Sequence, residues 1–199
     1  SLIGPDIMLT NTVLFIKEPN SLHHVSYHQD ATYMGLEPQD SLTAWIALTE
    51  STPENGCVRM IQGSHLLDIQ RHIDTFGEDN ILTRVQQIEN IDEERALDIE
   101  LEPGQLSLHH ARTIHGSRPN KTGARRIGIA LQSFTHPSTR QVYGEDYALL
   151  VRGSDDYGNF SKGPRPKVEV DLANVEFRDR VNARLSEILY AGAEKQRGY

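Results

Sequence analysis

Cysteine is almost absent from this 199-residue chain, where Cys57 stands alone. A single thiol excludes an internal disulfide and is compatible with a reducing cytoplasm. It also leaves no thiolate cluster of the kind that holds structural zinc or an iron–sulfur centre. Long apolar runs are lacking too. No stretch approaches the roughly 18 residues of a membrane span, and no charged-then-apolar leader opens the chain, so the expectation is a soluble, cytoplasmic protein without a membrane partner. Positive charge is in deficit: 20 Lys and Arg against 28 Asp and Glu give a formal charge of −8. That disfavours a general nucleic-acid surface, which needs a basic face to displace counterions from phosphate.

The chain has enough apolar residues, 37% against 24% charged, for one compact domain over residues 1–199. Short β-type runs dominate: Asn11 to Lys17, Val25 to His28, Leu42 to Thr49, Cys57 to Ile61, Leu97 to Leu101, Gln105 to His109 and Arg126 to Phe134. Turn residues separate them. Asn55-Gly56 predicts a hairpin, because both residues tolerate positive φ, and Pro103-Gly104 predicts another turn. Many short strands with a single clear long helix predict an all-β core with flanking helices, an antiparallel jelly roll whose mouth holds ligands between its sheets. The helix is expected over residues 171–192, where Phe177, Val181, Leu185, Ile188 and Leu189 recur at helical spacing, as a packing helix on the outer sheet. Residues 66–96 form a polar segment too long for an ordinary connection and are expected to be a lid-like insertion, with Gly77 able to bend. Its His72, Asp74, Glu78 and Asp79 match no metal-ligand template and read as solvated loop.

The chemistry-bearing pattern is His28-Gln29-Asp30, answered by His115 and by an arginine eleven residues further on, Arg126. If the strand from Val25 runs through Asp30, residues two apart share a face, so His28 and Asp30 point inward while Gln29 faces away. Two imidazoles and one carboxylate on one face of a borderline divalent metal leave the remaining positions open. A guanidinium fork at Arg126 suits bidentate capture of a carboxylate. An HxD alone is weak, since any such pair can be two surface residues. His109 and His110 face opposite ways in an extended segment and are not expected to be ligands; His23 and His24 read as surface loop. Arg112, Arg118, Lys121, Arg125 and Arg126 crowd into fifteen residues around His115. Most read as solvated strand-edge charges, with a second one besides Arg126 as a candidate contact for an anionic substrate.

The ordered motifs carry a resemblance. Tyr27 to Tyr33 (YHQDATY), Thr43 to Leu48 (TAWIAL), Pro53 to Cys57 (PENGC), Gly63-Ser64-His65, Pro103-Gly104, Leu108 to His110, His115 to Lys121 (HGSRPNK) and Arg125 to Gly128 (RRIG) look like the phytanoyl-CoA dioxygenase family in order and spacing, over roughly Asn11 to Phe134. Two positions depart from the usual pattern, Tyr27 for a common tryptophan and Gln62 for a common proline; neither is a proposed ligand.

The resemblance implies a double-stranded β-helix, cupin-like in its jelly roll. It implies Fe(II) held by His28, Asp30 and His115, and 2-oxoglutarate held by Arg126 with help from Ser117 and Trp45. O2 would be the oxidant and a small molecule the substrate. Asn11 is added as a cofactor-side candidate from its expected position near the cavity; Tyr33 and Lys17 read as structural. Helices are implied ahead of Ser1, so an N-terminal helical portion is expected to precede it. Asp30 argues for hydroxylation over chlorination, since the family's halogenases place alanine or glycine there. Local positive charge makes an aminophosphonate a candidate substrate. Two alternatives stay open: a zinc hydrolase using the same ligands, and a non-catalytic jelly-roll binding module. The oligomeric state is not legible.

Overall fold

The structure is a computed structural model that describes residues 2–75, 77–82, 86–165 and 167–191. Two large sheets form its body. The first runs in the order β14 (Ser161–Lys162), β13 (Tyr147–Arg152), β1 (Ile7–Lys17), β11 (Arg126–Thr135), β4 (Leu42–Ala47) and β9 (Leu106–His110). The second runs β2 (Val25–His28), β10 (His115–Ser117), β5 (Val58–Ile61) and β8 (Ala96–Ile99). Pairing is antiparallel throughout both, except that β13 and β14 run parallel. Two small ribbons complete the strands, β3 (Leu36–Glu37) with β12 (Arg140–Gln141) and β6 (His72–Asp74) with β7 (Gln86–Ile88).

Alternation along β1 explains how the sheets close on each other. Leu14 and Ile16 face outward, at 53% and 37% exposure, while Phe15 packs inward and Lys17 is fully buried. From the first sheet Trp45, Ala47 and Ala130 meet Val58 of the second in one buried cluster, with Phe15, Met60 and Ile99 against it. This is the sandwich core of a double-stranded β-helix, with side chains from two inner faces interdigitating. The outer face of the first sheet stays apolar across strands: Leu14 pairs with Ile129, Ile129 with Ile46, and Ile46 with Leu106.

The Asn55-Gly56 hairpin expectation is corrected. The turn exists, with Gly56 at φ 77, Cys57 N donating to Thr52 O at 2.9 Å, and the Asn55 side chain accepting from Thr52 N. It joins β4 of one sheet to β5 of the other, so the flanking runs never pair. Asn55 is not among the positive-φ residues, so this is not the two-residue turn that closes a hairpin. The turn after Pro103, with Gly104 at φ 88, likewise carries the chain from β8 back to β9 in the other sheet.

Helix α1 spans Leu172–Leu189 and starts at Asp171, whose carboxylate accepts from Ala173 N at 3.1 Å as an N-cap. Phe177 packs edge-on against Tyr147 of β13. Further along, Leu185 and Leu189 line an interior cavity with Val13 and Phe15 of β1. The helix thus packs on β13 and also reaches a cavity beside β1. Gly192, the end of the expected helix range, lies outside the described residues. Of the expected lid segment, β6 and β7 form a ribbon, and Phe76 and residues 83–85 lie outside the described residues. Among the described residues no helix is long and apolar enough to cross a membrane.

Candidate metal centre

Strand β2 ends at His28, and Asp30 opens the 3-10 turn Asp30–Thr32. Strand alternation therefore does not place Asp30, contrary to expectation; the turn swings its carboxylate back. Oδ1 of Asp30 lies 3.3 Å from His28 Nε2 and 3.8 Å from His115 Nε2. Strand β10 supplies His115 directly opposite His28, and a register slip follows before Ser117 meets Val25. One donor atom from each of the three residues lies within 4.8 Å of the others, the only such group among the described residues. His72, Asp74, Glu78 and Asp79 form no second cluster. His72 instead accepts from the Gln29 backbone N–H at 3.0 Å, behind the HxD segment. Gln29 faces away from the triad and is fully buried, donating to Arg112 O and accepting from Gln70 N, both at 2.8 Å.

Hydrogen bonds fix what these three side chains offer. His28 Nδ1 donates to Ser26 O at 2.8 Å and His115 Nδ1 to Thr113 O at 2.9 Å. Since carbonyls only accept, each neutral ring carries its proton on Nδ1 and turns a bare Nε2 to Asp30. Burial, then the neighbouring His28, pushes the His115 imidazole down to about 3, so it stays neutral. Burial pushes the Asp30 carboxyl up, but the charge that His115 and His28 carry when protonated pulls it further down, well below the ordinary carboxylate range. Tyr33 and Thr43 hydroxyls donate to its two oxygens at 2.9 and 3.3 Å. Two imidazole nitrogens and a carboxylate oxygen thus converge, a set that fits a divalent metal.

A single cavity touches His28, Asp30 and His115 at one end and Ser117, Trp45 and Arg126 at the other. Arg126 lies over the Trp45 ring, 5.1 Å from its centroid, a cation–π pair. That approach requires Gly128, because a Cβ there would sit 2.0 Å from the indole. Arg126 Nη2 donates to Gly56 O at 2.7 Å, while its Nε is buried without a partner. A buried fork with an unused donor and no described carboxylate in ion-pair reach fits an incoming anion.

Asn11 is not at this end. It pairs with Gln132 in the β1–β11 ladder, while Lys17 pairs with Arg126. Six residues of strand, about 20 Å at ~3.4 Å each, separate the two positions. Asn11 Nδ2 donates to Gln132 Oε1 at 3.1 Å and lines an adjoining cavity instead.

The other cations near His115 are mostly solvated, as expected. Arg118 pairs with Glu93 and Arg125 with Glu18 on the surface, Lys121 is exposed, and Arg112 lines an outer groove. His109 and His110 do face opposite ways: His110 pairs with Asp40 outside, while His109 lies inside, its ring 4.6 Å from that of His115 and both nitrogens unpartnered.

Of the inward groups, Thr43 was not singled out in the sequence, Tyr33 and Lys17 were read as structural, and one of His109 and His110 was expected to face inward. Lys17 was legible, since counting by two from Phe15 puts it on the inner face. Tyr33 and Thr43 were not, because nothing in spacing says that a turn and a neighbouring strand meet one carboxylate.

Comparisons with known proteins agree with this geometry. The family described as "Phytanoyl-CoA dioxygenase (PhyH)" matches residues 2–128. The chain is 31% identical to the peroxisomal phytanoyl-CoA dioxygenase of Homo sapiens over 132 residues, 64% of this chain and 39% of that protein. It is 30% identical to a probable alpha-ketoglutarate-dependent hypophosphite dioxygenase of Stutzerimonas stutzeri over 157 residues, 76% of this chain and 54% of that protein. The chain thus spans about half or less of these curated relatives. The solved structure of a non-heme monooxygenase, ThoJ in its apo form, superposes with a TM-score of 0.82 at 35% identity, covering 95% of this chain and 69% of that one.

Proposed function

The chain belongs to the phytanoyl-CoA dioxygenase family, and on that footing we propose that it is an Fe(II)- and 2-oxoglutarate-dependent dioxygenase that hydroxylates an unactivated C–H bond of a small molecule. The observation that carries this reading is one cavity with His28, Asp30 and His115 at one end and Arg126, Trp45 and Ser117 at the other. His28, Asp30 and His115 would hold the iron. When bound there, iron with O2 supplies oxidative decarboxylation of 2-oxoglutarate to succinate and CO2, coupled to hydroxylation of the substrate.

The protein's part is to bind, orient and exclude water. Ser26 O and Thr113 O keep the ring protons on Nδ1, so both Nε2 atoms stay available. Arg126, backed by Trp45, receives the far carboxylate of the co-substrate, and Ser117 Oγ lies in the same wall. A zinc hydrolase would have no use for that wall. Asp30 supplies the third ligand that leaves no room for a halide, which favours hydroxylation.

Substrate would enter from the adjoining cavity, which shares Phe15, Tyr33, Leu82 and Gln132 with the metal cavity. Its described lining adds apolar Val13, Leu36, Leu185 and Leu189, polar Asn11 and Gln86 and one carboxylate, Asp146, and holds no lysine or arginine. The bacterial relative's name specifies hypophosphite, an anion; this lining, with one carboxylate and no cation, supports a small molecule without net negative charge in preference to an aminophosphonate.

The test is Fe(II)-dependent formation of succinate from 2-oxoglutarate under O2, with His28→Ala as control. Succinate that disappears in His28→Ala is the expected result. No succinate with any of a panel of small neutral substrates would overturn the reading.

A further inference from the structure

Lys17 ends an otherwise apolar inward stripe of β1 and is fully buried. Its Nζ donates to Ser117 Oγ at 2.7 Å, to Gly56 O at 3.5 Å and to Arg118 O. These three contacts hold the amine against the Gly56 turn and the segment that carries Ser117. The Gly56 carbonyl is shared: it accepts from Lys17 and, at 2.7 Å, from Arg126. Gly56 is required for that geometry. A Cβ there would meet Arg118 O at 2.1 Å and Lys17 Nζ at 2.9 Å, and its φ is +77, a region that disfavours side chains.

Two basic groups thus face each other across the β1–β11 pair, and among the described residues no carboxylate forms an ion pair with either. Burying two like charges unpaired is costly. The cost falls if Lys17 gives up its proton, or if an anion enters. Burial and the neighbouring Arg126 push the Lys17 amine down to about 6, so the free protein takes the first course near neutral pH.

We propose that Lys17 is a positioning residue for the co-substrate, bracing Ser117 and the Gly56 carbonyl and adding a second cationic centre to Arg126, so that this end of the cavity selects a dicarboxylate over a monocarboxylate. The inference rests on the reading of the cavity as a 2-oxoglutarate site. Lys17 does not line the cavity; it acts through Ser117, Gly56 and the charge it shares with Arg126.

The test uses Trp45, the only tryptophan of the chain, whose fluorescence reports the pocket directly. Fe(II)-loaded protein is titrated anaerobically with 2-oxoglutarate and with 2-oxopentanoate, which keeps the metal-binding end and lacks the far carboxylate. Lys17→Met is expected to weaken 2-oxoglutarate by at least about tenfold, the scale of losing one charge a few ångströms behind a buried anion site. It should leave 2-oxopentanoate and Fe(II) affinity within about twofold.

Lys17→Gln, which keeps a donor without charge, serves as the second variant and should show the same loss of preference. Unchanged 2-oxoglutarate affinity in both variants, or an equal loss for both oxo acids, would overturn the role of Lys17. Failure of the unsubstituted protein to bind 2-oxoglutarate would instead overturn the proposed function beneath it.

Discussion

The hydroxyl of Tyr33 donates to Oδ1 of Asp30 over 2.9 Å, and that same oxygen faces Nε2 of both His28 and His115. One tyrosine therefore aims the carboxylate that the 3-10 turn carries. Tyr33→Phe is expected to fold and to weaken Fe(II) binding by about tenfold or more, the usual effect of losing a group that orients a metal ligand. Anaerobic metal titration of the two proteins checks it; equal affinities would show that Thr43, at 3.3 Å from Oδ2, suffices alone.

Gly128 is the position that lets Trp45 lie against the first sheet under Arg126. A Cβ there would sit 2.0 Å from the indole. Gly128→Ala should cost about 1–3 kcal/mol through overpacking and should weaken 2-oxoglutarate more than it weakens Fe(II). Thermal melting and paired titrations give both numbers.

The affinity for 2-oxoglutarate should fall as pH rises above about 6. The Lys17 amine lies at about 6 in the free protein against an ordinary 10.5, and a carboxylate beside it favours the protonated form, so binding takes up a proton. The dissociation constant then rises by up to about tenfold per pH unit above 6, until the complex too loses that proton.

The groups facing Lys17 do not supply this slope. Arg126 is lowered only to about 10, Cys57 is raised to about 11, and Ser117 does not titrate. For the fold the sign is separate. Between about 6 and 10.5 the unfolded chain carries a proton here that the native state lacks, so this group's contribution to stability grows with pH across that window and is flat below it. Fluorescence titrations from pH 6 to 9 should show the affinity slope in the unsubstituted protein and none in Lys17→Met.

Leu185 and Leu189 reach from α1 into the cavity that adjoins the metal centre. Leu185→Trp should fill it and raise substrate KM strongly. Substrate-free succinate formation, which depends on the other cavity, should change by less than about twofold. Loss of both would place the helix in the co-substrate site instead.

The sandwich was legible because its strands alternate and their turn residues are unambiguous: β2 is read to the residue, and β11 within one. What turns cannot say is which sheet the next strand joins, and so Asn55-Gly56 suggested a hairpin where the chain changes sheets. The two histidines and the aspartate were legible as a metal-type pattern, yet by a partly wrong route, since a turn and not strand alternation delivers Asp30. The crowd of cations near His115 was legible as mostly solvated: Arg118, Lys121 and Arg125 sit on connections with surface carboxylates or solvent to face. Lys17 shows the converse, a charge that alternation places inside and that hydrophobicity alone would send out.

The central claim, that one cavity joins a metal held by His28, Asp30 and His115 to a 2-oxoglutarate site at Arg126, is tested most directly by adding Fe(II) and then 2-oxoglutarate anaerobically to metal-free protein while recording the visible spectrum. A charge-transfer band that is abolished in His115→Ala and strongly weakened in Arg126→Ala is the predicted result. No band, with zinc bound tightly in its place, would contradict it.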